Sequence, residues 1–255
     1  MNINLLRTNF QKSLFRIQKG QKEGEKSQPL IEEVSLEDES IEIEEKNSSK
    51  IKEKNSSRNL KKVSIHELNF KDKKSAIKAI WRVNLELLIP GISTQGKTVE
   101  VALMILQEFE TGDYTLNVCL IEMKSSLQPR REEEKDGKIT IEPSSLTDIK
   151  EKIECSMNRM YMLMSLNNHQ NRKGYSGVNI DIKFKGIIIF NRHKLSSSDD
   201  SDLYKIFISP EKTKKSRLLT VHTILGDLNK IEIKFFPREN NQSEEHRILQ
   251  LSDLL

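Results

Sequence analysis

Glu122-Met123-Lys124 sets a carboxylate and an ammonium two residues apart at the end of an apolar run. In a strand, side chains alternate, so Glu122 and Lys124 leave the same face. Glu100 opens an earlier apolar run, and the turn residues Thr111-Gly112-Asp113 lie between the two. The pattern predicts a hairpin, with strands at about Val99–Phe109 and Tyr114–Lys124. Folding it brings Glu100 toward Glu122 and Lys124 at one end or edge of a sheet. Two carboxylates and a lysine suffice to hold a hard cation and orient a water.

The elements around the hairpin follow from periodicity. Ile77, Ile80, Trp81, Leu85 and Leu88 recur at three- and four-residue steps, which predicts a helix over 74–89 ended by Pro90-Gly91. Glu86 lies close to that stripe. Leu146, Ile149, Ile153, Met157, Met160, Tyr161 and Met164 predict a longer helix over 145–166, with Ser145 and Asp148 as its capping pair. Its methionines read as core filling. Between hairpin and helix, 128–142 reads as a charged loop with a short hairpin at Asp136-Gly137. Further strands are expected at 179–191, 204–209, 218–224 and 230–236.

Composition bounds the rest. The chain has 255 residues, 35% hydrophobic and 31% charged, with a net charge of +4. That balance permits contact with nucleic acid without requiring it. The apolar residues are concentrated after about Val63. Residues 1–62 read as a charged, largely disordered arm, acid-rich over 32–45 and basic over 46–62. Residues 63–238 read as an α/β domain, and 239–255 as a polar C-terminal tail. No apolar run approaches the ~20 residues of a membrane helix. The first residues lack the apolar core of a secretory signal. Cys119 and Cys155 are the only cysteines, which suits a reducing, cytoplasmic setting. The five histidines lack metal-ligand spacing, and no phosphate-cradling glycine motif or nucleophile elbow is present.

With Glu100 and Glu122-Met123-Lys124 in this setting, the stretch from Lys74 to Phe190 resembles the PD-(D/E)XK nuclease superfamily. That family has a mixed sheet flanked by helices, an acid near the start of the second core strand and (Asp/Glu)-x-Lys on the third. Val99-Glu100 stands where the family has Pro-Asp. Asp113 is an alternative first acid, but it falls in the turn at the far end of the hairpin from Lys124. Asp181-Ile182-Lys183 and Glu232-Ile233-Lys234 repeat the short pattern. Glu122 is distinguished from them by the hairpin before it and the helix after it.

The resemblance implies a restriction-endonuclease-like α/β fold and Mg²⁺- (or Mn²⁺-) dependent hydrolysis of phosphodiester bonds in DNA. Glu100, Glu122 and Lys124 would be catalytic. Glu100 and Glu122 would hold the metal, with Glu86 as an extra ligand. Arg130, Arg131, Lys150 and Arg159 would contact the phosphate backbone. The alternatives are an inactive nuclease-like structural or nucleic-acid-binding subunit, and a protein working through its charged arm. DNA is the expected partner; a protein bound by the arm and a homodimer are also admitted.

Overall fold

The computed structural model describes residues 30–44, 59–85, 97–135, 138–168, 180–195, 201–209, 217–222 and 228–255. In chain order the strands are β1 (Ile31–Val34), β2 (Ser40–Glu44), β3 (Lys62–His66), β4 (Ser75–Val83), β5 (Val101–Phe109), β6 (Tyr114–Leu127), β7 (Arg131–Lys135) and β8 (Lys138–Glu142). Then come α1 (Ser145–Asn168), β9 (Ile180–His193), α2 (Asp202–Ile208), β10 (Leu218–His222), β11 (Leu228–Pro237), β12 (His246–Gln250) and α3 (Leu251–Leu254).

A seven-stranded mixed sheet in the order β1-β4-β5-β6-β9-β11-β10 forms the middle layer. β1, β4, β5 and β6 run antiparallel to their neighbours, whereas β6, β9 and β11 run parallel. Both faces are covered. Leu146, Ile149, Ile153, Met157 and Met160 of α1 pack with Trp81, Met104, Val118 and Ile188 on one face. On the other, Ile77, Leu103, Cys119, Met123 and Ile187 pack against the small sheet β12-β3-β2. This double burial explains why β5 and β6 read as nearly continuous apolar runs.

The hairpin forms as its sequence predicts. Gly112 closes the turn at φ +80°, a conformation that favours glycine, and the Phe109 amide donates to the Asp113 carbonyl at 2.9 Å. Helix α1 also forms, but its cap is Ser144, whose Oγ accepts from the Thr147 amide at 3.3 Å.

Of the expected helix over 74–89, residues 75–83 form strand β4 instead, and 86–89 lie outside the described residues. The register with β5 shifts between Ile77 and Ala79, the mark of a β-bulge. The extra residue puts Ile77 and Ile80 on one face and Ala79, Trp81 and Val83 on the other. A bulge thus makes a three-residue spacing that imitates a helical stripe. Of residues 204–209, expected as a strand, 204–208 belong instead to α2, whose cap Ser201 accepts from the Tyr204 amide at 3.2 Å.

Both ends of the chain contribute more than expected. The acid-rich part of the 1–62 arm supplies β1 and β2, and Leu30, Ile31, Ile41 and Ile43 are buried among their acidic neighbours. The expectation for 1–29 and 45–58 lies outside the described residues. The 239–255 tail supplies β12 and α3, burying Leu249, Leu251 and Leu254.

Candidate active site

Strand β6 presents Glu122 and Lys124 on the face that α1 crosses. Two anchors set the helix there. At the end of β6, the Gln128 amide donates to Ser145 Oγ at 2.8 Å, and the Ser145 amide donates to the Gln128 carbonyl at 3.0 Å. At the start of β5, the Val99 amide donates at 3.0 Å to Oγ of fully buried Ser156. The first half of α1 is therefore anchored to the residue before Glu100 and to the end of β6, four residues beyond Lys124.

Glu122 is fully buried. Its Oε1 lies 2.7 Å from Lys152 Nζ and 3.1 Å from Lys124 Nζ. Its Oε2 is buried and has no hydrogen-bond partner. A buried carboxylate is costly unless paired, and here both ammonium groups approach one oxygen and leave the other. Asp148, one helical turn before Lys152, lies 3.8 Å from Lys124 and 4.0 Å from Lys152. Lys97 pairs with Asp148 at 2.9 Å and with Glu151 at 3.2 Å.

The titration of the network follows from these contacts. Burial works against the charge of Lys124, but the attraction of Glu122 and Asp148 outweighs it and raises its pKa above the ordinary value. Burial would likewise raise the Asp148 pKa, yet Lys97, Lys124 and Lys152 hold it below the ordinary value. Lys124 is thus an ammonium near neutral pH, able to donate and unable to act as a base.

The β5–β6 register pairs Val101 with Ile121. One step further stand Glu100 and Glu122. Glu100 is itself buried, at 8% exposure. Asp113 is exposed in the turn at the opposite end of the hairpin, where Thr111 Oγ1 donates to it at 2.8 Å. A hollow lined by Phe109, Asp113, Tyr114 and Ile180 also lies at that distant end. Glu86 lies outside the described residues.

No family model, curated protein or solved structure matches the chain.

The remaining expected residues separate. Arg130 and Arg131 are exposed just beyond β6. Lys150 pairs with Asp202 at 2.9 Å, tying α1 to α2. Arg159 is not presented to a backbone: it is buried at 5% exposure, and its Nη1 donates to the Leu85 carbonyl at 2.5 Å. Asp181 and Lys183 form an exposed pair at 3.2 Å near the start of β9, which is ordinary strand alternation. Lys152, Asp148 and Lys97 join the site without having been singled out for it. The four-residue step from Asp148 to Lys152 was the available signal, since it puts both on one side of a helix.

Among the described residues no group of three His, Cys, Asp or Glu side chains is arranged to hold a metal ion. Mg²⁺, however, is commonly held by one or two carboxylates, with waters and substrate oxygens completing its shell. The bare, buried Oε2 of Glu122 and the neighbouring Glu100 fit that smaller requirement. Among the described residues no helix is long and apolar enough to cross a membrane.

Proposed function

We propose that this chain is a Mg²⁺-dependent nuclease of the PD-(D/E)XK, restriction-endonuclease-like type, hydrolysing phosphodiester bonds in DNA. The observation that carries the reading is Glu122: a buried carboxylate with two ammonium groups on one oxygen and nothing on the other. The strand order supports it too. Counted from β4, with the short edge strand β1 outside it, β5 is the second and β6 the third of an antiparallel run. Glu100 then precedes the second strand and Glu122-x-Lys124 lies on the third, the placement that the family resemblance implies.

Glu122 and Glu100 would hold the metal. When bound, the ion polarises the scissile phosphate and lowers the pKa of a bound water. The chain supplies the rest. Lys124, 27% exposed at its side chain, reaches the surface of the site and donates to charge that develops on phosphate oxygens. Lys152, 15% exposed, stays on Glu122 Oε1 and keeps the carboxylate aligned. Asp148 fixes the positions of both lysines. Asp148 sits in the first turn of α1, where a negative charge is favoured.

One observation favours a second reading, an inactive nuclease-like subunit that binds nucleic acid. Two lysines already neutralise Glu122, so charge balance requires no metal. Incubation with plasmid, linear duplex and single-stranded DNA in Mg²⁺ or Mn²⁺ separates the two. Metal-dependent cleavage that disappears in Glu122→Gln supports the nuclease. Salt-sensitive DNA binding with no cleavage of any of the three substrates supports the inactive subunit.

A further inference from the structure

Parallel pairing of β6 with β9 brings together two stretches that are distant in sequence. Residues 124–131 read KSSLQPRR, and 190–195 read FNRHKL. Neither contains an acid. The register sets Ser126 against Arg192 and Leu127 against His193, and the Lys194 amide donates to the Leu127 carbonyl at 2.8 Å. Arg130, Arg131, Arg192, His193 and Lys194 are all exposed. Basic side chains are therefore gathered in a rim at the carboxyl ends of two central parallel strands, with Glu132, Glu133 and Glu134 following Arg131 in sequence.

The rim is continuous with the candidate site. Lys124 pairs in register with Phe190, and Arg192 lies two residues beyond on the same face. One strand across and two residues along is a Cα separation of about 8 Å. Successive phosphates of a duplex strand rise about 3.4 Å along its axis. A backbone with one phosphate at Lys124 therefore brings neighbouring phosphates within reach of the long Arg192 side chain. Arg131 is steadied by donating to Gln128 Oε1 at 2.7 Å. Arg238, which also lies near the end of β9, is paired with Glu244 at 3.4 Å and is not part of the rim.

We infer that Arg192 and Lys194, together with Arg131, form the anchor for a DNA backbone that leads into the site. The inference rests on the nuclease reading for its choice of partner. The contact is to phosphates and so is independent of base sequence.

Salt-dependent binding of the full chain to a fluorescent duplex oligonucleotide, in EDTA, tests it without cleavage. Each phosphate contact contributes about 0.9 to the slope of log affinity against log salt. The double variant Arg192→Ala/Lys194→Ala should flatten that slope by about 2. Lys183→Ala/Lys205→Ala removes the same charge from exposed side chains elsewhere and should leave the slope unchanged. Equal flattening by both pairs, no flattening by the first, or equal displacement of the oligonucleotide by polyglutamate of the same charge would overturn the inference. So would failure of the wild type to bind. If the slope falls as expected but Mg²⁺ never yields cleavage, the anchor stands and the nuclease reading falls. If the slope is unmoved while Glu122→Gln abolishes cleavage, only the anchor falls.

Discussion

Lys152 Nζ lies 2.7 Å from Glu122 Oε1, closer than Lys124, the lysine two residues along the same strand, at 3.1 Å. The short Glu-x-Lys pattern is thus completed by a helix residue that the pattern does not contain. The two lysines differ in exposure, and that difference divides their work.

Lys152→Ala leaves the buried carboxylate one donor short. A hydrogen bond to a charged group is worth about 1.5–3 kcal/mol, so urea unfolding should show a loss of about that size. Lys124→Ala, at a more exposed position, should cost less stability and more activity. Loss of one donor to developing negative charge typically lowers turnover by about 10²–10³-fold. A variant pair with the opposite ranking would reverse the roles assigned to the two lysines.

Gly186 lies where α1 crosses the sheet. A Cβ there would come 2.6 Å from Ile233 Cδ1 and 3.0 Å from Ile153 Cδ1. Both are ends of buried side chains, so Gly186→Ala should destabilise by about 1–3 kcal/mol, toward the lower end because those methyl ends can turn aside. Ile153 adjoins Lys152, so the Lys152–Glu122 contact should loosen as well. Thermal unfolding reads the first effect, and the Mg²⁺ dependence of cleavage reads the second.

His246 gives the small sheet a pH dependence. Burial, and then Lys62 and His66, push its pKa below the ordinary 6.5. Its Nε2 lies 2.7 Å from Oγ of buried Ser64. The folded state favours the neutral ring, so the unfolded chain takes up the proton first. Stability is full above pH 6.5 and falls as pH drops below it toward the folded value. Melting temperatures measured from pH 7.5 to 5 should decline, and His246→Asn should flatten the decline over that interval.

The two thiols should differ sharply in reactivity. Cys119 is fully buried, and burial raises its pKa to about 11. Cys155 is only partly buried, although burial raises its pKa too. A thiol reagent applied to the folded protein should modify Cys155 first and Cys119 only on unfolding. Mass spectrometry after brief labelling distinguishes the sites.

Much of the centre of the molecule could be read in the sequence, because local rules and tertiary structure agree there. The hairpin has its glycine turn, and α1 has an apolar stripe uninterrupted from Leu146 to Met160. β4 was hidden because a bulge gave Ile77 and Ile80 helical spacing, which only the β5 register resolves. β1 and β2 were hidden because charge dominates them, yet two isoleucines at alternate positions of β2 are enough for an edge strand. For the site, Glu122 and Lys124 adjoin in sequence and could be paired by alternation alone. Lys152 and Arg192 come to the same place through a helix crossing and a parallel register, and neither leaves a local trace. Arg159 shows the converse: its charge suggested a phosphate contact, and its burial sets it on a main-chain carbonyl.

The most direct test is a Mn²⁺ titration, which needs no knowledge of the preferred substrate. In the proposed site Glu122 Oε2 and Glu100 together hold the ion. Mn²⁺ at about 100 times its dissociation constant should stabilise the folded wild type by about 2.7 kcal/mol. That stabilisation should vanish in Glu122→Gln and weaken strongly in Glu100→Gln, provided both variants fold. Mn²⁺ binding that is unchanged in Glu122→Gln would contradict the account at its centre, as would a folded wild type that binds no metal with or without DNA.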